Sequence, residues 1–230
     1  MSDRSSSRRA SARGFAVGVE LALFTFHESE LGVLVRAAAA ERSRSRSTLP
    51  LATLGADDTI DQRALDLAKE AAPTTPAILE QVGTFSARPQ SAEKSRITVL
   101  YFGLLPVGTV VRPPFVWLEM SDALASLAPR QRDSVEAALH ALRARVDQQP
   151  IAFRLLPTVF TLSDLQRIYE LLLGRKLHKA SFRRALHAAS LVEATDEWRS
   201  EGRGRPAQLF RYAPPRRRRA RRGVRFDALG

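Results

Sequence analysis

Hydrophobic residues cluster along the first part of the chain in runs that predict strands. Two such runs, GFAVGVELALFTF at 14–26 and LGVLV at 31–35, lie on either side of the polar tetrapeptide 27–30. Valine and phenylalanine favour strands, and a short polar segment between two such runs is typical of a hairpin. We therefore predict a β-hairpin over residues 15–36.

The remainder of the first half mixes helical and strand patterns. Apolar residues at helical spacing predict three helices, over residues 57–72, 121–127 and 130–148. Apolar runs predict three further strands, over residues 77–85, 97–105 and 116–118. The first helix is expected to stop at Pro73 and Pro76, and the last at Pro150. This mixture indicates an α+β domain that ends near Pro150.

After Pro150 the pattern changes to two short helices followed by two strands. Thr161 and Asp164 have the spacing of a capping box, which predicts a helix up to Gly174. A second helix is predicted over 179–189, and a hairpin from strands at 191–195 and 207–212. The apolar face of the first helix comprises Leu162, Leu165, Ile168, Tyr169 and Leu172. Two helices followed by a hairpin is the order of a winged helix-turn-helix.

Charge divides the chain at the same point. Residues 151–230 contain 18 Lys and Arg against 7 Asp and Glu, whereas residues 1–150 have a net charge of only +1. A cationic segment of this size is suited to the phosphate backbone of DNA. We interpret the Ser/Arg-rich residues 1–14 as a disordered basic arm, with a mitochondrial transit peptide as the alternative. The disordered Arg-rich tail, 216–230, is interpreted as a phosphate tether, with a solubilising extension as the alternative.

Candidate DNA-binding residues lie on the outward face of the second helix, at the hairpin tip and in the tail. A helix that reads the major groove needs small and basic outward residues, and a wing can place Arg in the minor groove. A solvated basic face is the alternative for the helix. The candidates are Lys179, Ser181, Arg183, Arg184 and His187 on the helix, Arg199, Arg203, Gly204 and Arg205 in the hairpin, and Arg216, Arg217, Arg218 and Arg219 in the tail.

Composition excludes several classes of chemistry. The chain has no cysteine, which rules out disulfides and thiolate nucleophiles and fits a reducing cytoplasm. Its four histidines, His27, His140, His178 and His187, have no metal-ligand spacing, and no P-loop or G-x-S-x-G motif occurs. No apolar run reaches the roughly 18 residues of a membrane span. We predict no cofactor, no metal site and no membrane partner.

The second half resembles a known family of regulators. The segments FTLSDLQRIYE at 160–170, GRKL at 174–177, FRR at 182–184 and GRGRPAQLFRY at 202–212 resemble the winged-helix domain of the Nudix-related transcriptional regulators, the NrtR-like family. In that family a Nudix-like domain precedes the winged helix. The first half is similar to such a domain, with LP at 49–50, DDTI at 57–60 and LEQVGTF at 79–85 in matching order.

The first half departs from the Nudix pattern where an enzyme needs its metal ligands. A Nudix hydrolase binds magnesium through the glutamates of an Arg-Glu-apolar-x-Glu-Glu block, which falls on residues 66–71 here, and only Glu70 matches. The family's paired glycines fall on Leu51 and Ala52. Asp58 and Glu70 alone are poor magnesium ligands. We therefore expect no catalytic residues, and a remnant pocket near Leu51, Ala52, Asp58 and Glu70.

The interpretation is a cytoplasmic bacterial transcription factor that is not an enzyme. Its expected fold is α+β, with a Nudix-like α/β/α sandwich and a mixed sheet over 15–150 and a winged helix over 151–215. The resemblance implies a homodimer that binds a palindromic operator, represses genes of NAD metabolism or sugar use, and is released by an ADP-ribose-like adenine nucleotide. One alternative is a Nudix-type nucleoside diphosphate hydrolase with an accessory nucleic-acid-binding domain. Another is a ligand-independent DNA-binding protein whose first domain only dimerises.

Overall fold

The computed structural model describes residues 16–27, 30–38, 46–87, 96–200 and 206–213. In chain order the elements of the first half are β1 (Ala16–His27), β2 (Glu30–Arg36), β3 (Leu51–Thr53), α1 (Ile60–Ala71), β4 (Ile78–Ala87), β5 (Arg96–Leu104), β6 (Phe115–Glu119), α2 (Met120–Ser126) and α3 (Pro129–Gln148). Those of the second half are a 3₁₀ helix (Ile151–Leu155), β7 (Val159–Phe160), α4 (Leu162–Leu173), α5 (Lys179–Ala188), β8 (Val192–Arg199) and β9 (Ala207–Tyr212).

The first half is built on a mixed six-stranded sheet. Its strand order is β4-β5-β1-β2-β6, and β3 pairs with β1. The predicted hairpin is present, since β1 and β2 are antiparallel with His27 opposite Glu30. Strands β1 and β5 run parallel, whereas β4 and β5 are antiparallel. The sheet is therefore mixed, as predicted.

Alternation along β1 divides the core into two layers. Val19, Leu21 and Leu23 belong to a cluster that includes the buried face of α1. Phe24 and Phe26 belong to a second cluster, on the side of α2 and α3. Because successive side chains of a strand point to opposite faces, one strand supplies both layers. The first half is thus an α/β/α sandwich.

The second half is a winged helix. Helices α4 and α5 lie in the chain between β7 and the pair β8 and β9, and these three strands form a sheet in the order β7-β9-β8. All five residues of the apolar face predicted for α4 are buried. On α5, Phe182 and Leu186 are buried, and the ring centroids of Tyr169 and Phe182 lie 5.6 Å apart. The helical and strand periodicities of the sequence therefore predicted this half well.

One hydrophobic cluster runs through both halves. It contains Phe24 and Phe102 of the large sheet, Leu142 of α3, and Tyr169 and Phe182 of the winged helix. The predicted boundary at Pro150 falls between α3 and the 3₁₀ helix, whose buried residues join this cluster. The winged helix is consequently packed against the sandwich through α3.

The structure differs from the predicted elements at several places. Helix α1 begins at Ile60 because Thr59 is its N-cap and accepts the N–H of Gln62 at 3.3 Å. The short strands β3 and β7 were not predicted. Strands β4, β6 and β8 are longer than predicted, and β5 is shifted by one residue toward the N-terminus. The predicted arm at 1–14, the tail at 216–230 and the tip of the wing lie outside the described residues.

Candidate nucleic-acid interface and sheet-edge cleft

The capping box predicted at the start of α4 is present and has an additional partner. The Thr161 hydroxyl accepts the Asp164 N–H at 3.1 Å, and the Asp164 carboxylate accepts the Thr161 N–H at 3.0 Å. Arg199 donates to both oxygens of Asp164, at 2.9 and 2.8 Å. Burial acts to raise the pKa of Asp164, but the hydrogen bonds from Arg199 and Thr161 outweigh it, and the pKa lies below its usual value. Asp164 therefore ties the wing strand β8 to the start of α4.

The turn between α4 and α5 is held by a network around Glu170. This carboxylate accepts the Leu177 N–H at 3.0 Å and hydrogen bonds from Gln166 and Lys176 at 2.9 and 3.0 Å. Burial acts to raise the pKa of Glu170, but these donors lower it below its usual value. Gly174 ends α4 with φ at +69°, a conformation that favours glycine. The turn thus sets the direction in which α5 leaves α4.

Helix α5 presents the predicted polar face to solvent. Lys179, Arg184 and His187 are exposed, whereas Ser181 and Arg183 are half-buried. The Ser181 hydroxyl accepts a hydrogen bond from Arg184 at 3.4 Å and lies 3.2 Å from Nδ1 of His178. All five predicted helix residues therefore lie on α5, and three of them are exposed to solvent.

The wing brings together some of the predicted residues. Arg199 ends β8, and Trp198 beside it is 56% exposed. The strand also carries acidic residues, one of which, Glu193, pairs with Arg211 of β9 at 3.0 Å. The other residues predicted to contact DNA from the wing and tail lie outside the described residues, namely Arg203, Gly204, Arg205, Arg216, Arg217, Arg218 and Arg219. The described wing is therefore a mixed-charge hairpin whose first strand ends at Arg199.

The residues expected to mark a remnant pocket each have other partners. Leu51 and Ala52 lie in β3, where Ala52 pairs with Val19 of β1. Asp58 accepts the Gly55 N–H at 2.8 Å, and Glu70 forms an ion pair with Arg63 at 2.8 Å. The hydrogen bond with Glu70, and the nearby charges of Asp58 and Asp66, raise the pKa of Arg63.

These contacts leave the retained carboxylates bound to protein groups. Arg63 lies two helical turns before Glu70, so α1 itself supplies the cation that pairs with this carboxylate. Within the described residues, no group of three or more His, Asp or Glu side chains is arranged to hold a metal ion.

A cleft of about 570 Å³ lies instead at the edge of the large sheet, beside β4. It is lined by Asp61, Leu65, Leu79, Glu80, Gln81, Tyr101 and Arg145. The Tyr101 hydroxyl donates to Asp61, and burial together with this contact raises the pKa of Tyr101. Arg145 of α3 forms an ion pair with Glu80 of β4. The cleft is thus lined mainly by polar and charged side chains, with the ring of Tyr101 buried beneath it.

Sequence reasoning did not find this cleft, because its lining comes from α1, β4, β5 and α3. One signal was present in the strand LEQVGTF, where Glu80 and Gln81 are polar residues inside an apolar run. Tyr101 carried a similar signal, as a hydroxyl within the apolar strand β5.

Comparison with known proteins gives a family-model match for the second half of the chain. Residues 152–212 match the family model of the NrtR DNA-binding winged helix domain. The ADPR responsive transcriptional repressor NtrR of Acinetobacter baylyi is 29% identical over 203 residues, which cover 85% of this chain and 81% of the relative. The crystal structure of Shewanella oneidensis NrtR in complex with a 27mer DNA superposes with a TM-score of 0.69 at 27% identity, over 86% of this chain and 93% of that one. The second half thus matches an NrtR DNA-binding winged helix domain, and over most of its length the chain is similar to NrtR-like, Nudix-related regulators.

This family places a Nudix-like domain before the winged helix, as the structure does here. A MutT/nudix family protein from Enterococcus faecalis has the same fold, with a TM-score of 0.68 at 15% identity over 87% of this chain and 89% of that one. Across the described residues, no helix is both long and apolar enough to span a membrane.

Proposed function

We propose that this protein is a transcriptional repressor that binds an operator through its winged helix and releases it when an ADP-ribose-like nucleotide binds the Nudix-like half. The observation that carries the proposal is the outward face of α5, where Lys179, Arg184 and His187 are exposed beside a wing. The relatives support it, since one is named as an ADPR responsive repressor and another binds DNA in its crystal structure. A repressor of bacterial genes acts where the chromosome lies, so we place the protein in the cytoplasm.

DNA reading is assigned to α5. A helix in the major groove reads base edges with long donors on its outward face, and Arg184 has the reach and exposure for a bidentate contact to guanine. Lys179, Ser181, Arg183 and His187 flank it and supply phosphate or further base contacts. The cations of the wing and tail are assigned to the phosphate backbone, which positions the protein without reading sequence.

The nucleotide is assigned to the sheet-edge cleft. A volume of about 570 Å³ lies within the range of small-molecule pockets. Arg145 offers a guanidinium for a diphosphate. Binding here does not require the metal ligands that a hydrolase uses.

Hydrolysis is proposed to be absent. Glu70, the one glutamate kept from the magnesium-binding block, is paired with Arg63, and Asp58 accepts the Gly55 N–H. A hydrolase needs several free carboxylates around its magnesium, because the hard cation is held by oxygen ligands. The nucleotide is therefore a signal and not a substrate.

We further propose that the protein acts as a homodimer on a palindromic operator. Two-fold symmetric regulators place their reading helices in successive major grooves, roughly 34–36 Å apart. The half-sites are then expected about one turn of DNA apart, or a whole number of turns.

The test combines operator binding with a hydrolysis assay. An operator is first selected from a random duplex library, and its affinity is measured by fluorescence anisotropy with and without ADP-ribose. We expect ADP-ribose to weaken operator binding at least about fivefold, a coupling near 1 kcal/mol. By linkage, calorimetry must show operator DNA weakening ADP-ribose by the same factor.

The hydrolysis arm separates a regulator from an enzyme. Products of ADP-ribose are followed with magnesium or manganese, and no turnover above background is expected. Turnover on the order of 1 per second that disappears in Glu70→Gln would establish a hydrolase instead. No heat with ADP-ribose and an unchanged operator affinity would reduce the first half to a dimerisation scaffold.

A further inference from the structure

Helix α3 touches both parts of the molecule that the proposed function couples. Its residues Leu142 and Val146 are fully buried in the core that joins the two halves. Between them lie Arg143 and Arg145, which are two residues apart and therefore project about 200° from each other around the helix. One arginine reaches the sheet-edge cleft and the other reaches the winged helix. A small movement of this helix would therefore change the contacts both in the sheet-edge cleft and in the winged helix.

Arg145 faces the cleft. It is paired with Glu80 and also donates to Gln148 at 3.3 Å. A guanidinium binds phosphate oxygens in the same bidentate manner as it binds a carboxylate, and a diphosphate carries more negative charge than Glu80. A nucleotide in the cleft can therefore compete with Glu80 for Arg145.

Arg143 faces the turn that directs α5. Its Nε donates to the Leu172 carbonyl at 3.2 Å, one of the last carbonyls of α4, which lack partners within the helix. Its Nη2 lies only 2.5 Å from where a Cβ on Gly174 would be. The guanidinium is thus held tightly against the residue whose positive φ ends α4.

From these contacts we propose that the last turns of α3 carry the signal from the nucleotide to the DNA-reading helix. The diphosphate takes Arg145 from Glu80, the end of α3 shifts, and Arg143 transmits the shift to Leu172 and Gly174. The orientation of α5 relative to the rest of the winged helix then changes. This inference rests on the proposed function, and it adds the residues through which the two sites are coupled.

The decisive variant is Arg143→Met, which keeps an apolar stem but removes the donor. ADP-ribose affinity is measured by calorimetry and operator affinity by anisotropy, each alone and with the other ligand present. We expect each separate affinity to stay within about twofold of the wild type, while the roughly fivefold coupling falls to near one. Arg145→Met should instead weaken ADP-ribose itself by about tenfold or more, as expected for a lost charge-assisted contact.

Arg154→Met is the matched control. Arg154 also donates to a backbone carbonyl across the two halves, that of Ala77 at 2.6 Å, but it lies in the 3₁₀ helix and not on α3. It should keep the wild-type coupling. Arg143→Lys, which keeps a charge and a donor, should recover much of the coupling. If Arg143→Met melts well below the wild type, the coupling measured in Arg143→Lys is compared with that of the wild type instead.

The outcomes separate the inference from the function on which it rests. Wild-type coupling that persists in Arg143→Met, or an equal loss in Arg154→Met, overturns the route through α3 and leaves the repressor intact. If ADP-ribose and operator do not change each other's affinity in the wild-type protein, the proposed regulation is wrong. The proposed route through α3 is then wrong as well.

Discussion

Asp164 joins two parts of the winged helix, the start of α4 and the end of β8, through a single carboxylate. It caps the first turn of α4, binds Thr161 and holds Arg199 at the end of β8. The Asp164 side chain is about one-third exposed. Its contribution to stability therefore comes mainly from these geometrically fixed hydrogen bonds and less from simple charge attraction.

We expect Asp164→Asn to lower stability at pH 7 by about 1–2 kcal/mol, the usual cost of losing a cap and a charge-assisted hydrogen bond. Because the pKa of Asp164 is lowered in the folded protein, its contribution is complete above its unfolded pKa of about 3.9 and is lost as pH falls through the lower folded value. Urea midpoints of the two proteins, measured from pH 7 downwards, should therefore converge only in strong acid.

Asp196→Asn, at an exposed aspartate of the same strand β8, is the control and should change the midpoint by less than about 0.5 kcal/mol. A difference between Asp164→Asn and the wild type that stays constant down to pH 2 would show that the carboxylate charge is not what stabilises the wing.

Single residues also mark where sequence reasoning succeeded and where it could not. Thr161 and Gly174 were predicted as caps because capping depends on a few neighbouring residues. Arg199 was predicted as a DNA contact. In the structure its guanidinium donates to the carboxylate of Asp164, thirty-five positions earlier. A partner at that distance is fixed by the packing of β8 against α4, which local spacing does not report. Its role at DNA stays a prediction.

Among the elements, long amphipathic helices and long strands were the most predictable. Helix α4 has its predicted apolar residues buried because the 3.6-residue period is repeated over three turns. Strands β3 and β7 have only three and two residues, and they exist as strands because β1 and β9 lie beside them. The cleft was missed for a related reason, since it forms only when four separate elements meet.

Helix α5 carries the prediction that tests the reading of DNA. Arg184→Ala should lose about 1–3 kcal/mol on the selected operator and relax its sequence preference, because one base contact is removed. On random duplex the loss should be much smaller. The measurement is anisotropy on both DNAs at one salt concentration.

Arg112→Ala removes an equally exposed cation from the first half, far from α5 in the chain, and serves as the control. It should leave the ratio of specific to random affinity unchanged. If Arg184→Ala weakens operator and random DNA by the same factor, Arg184 contacts phosphate and the solvated-face alternative gains support.

At the scale of the whole molecule, charge is divided unequally between the two halves. The first 150 residues are near neutral, with a net charge of +1, while the last 80 carry +11. The cationic end therefore attracts DNA of any sequence, and the near-neutral sandwich adds little to that attraction. Specificity and general affinity are then expected to reside in different residues.

Deletion of residues 216–230 tests this division. The segment contains six arginines within 216–222, and each phosphate that such a cation neutralises adds about 0.9 to the slope of log K against log salt. We expect the deletion to weaken operator and random duplex alike and to make the slope shallower by roughly 3–5. The matched control keeps the length but replaces the six arginines with glutamine, and it should behave as the deletion does. An unchanged slope in both would identify the tail as a solubilising extension, and a loss confined to the operator would assign it a part in reading sequence.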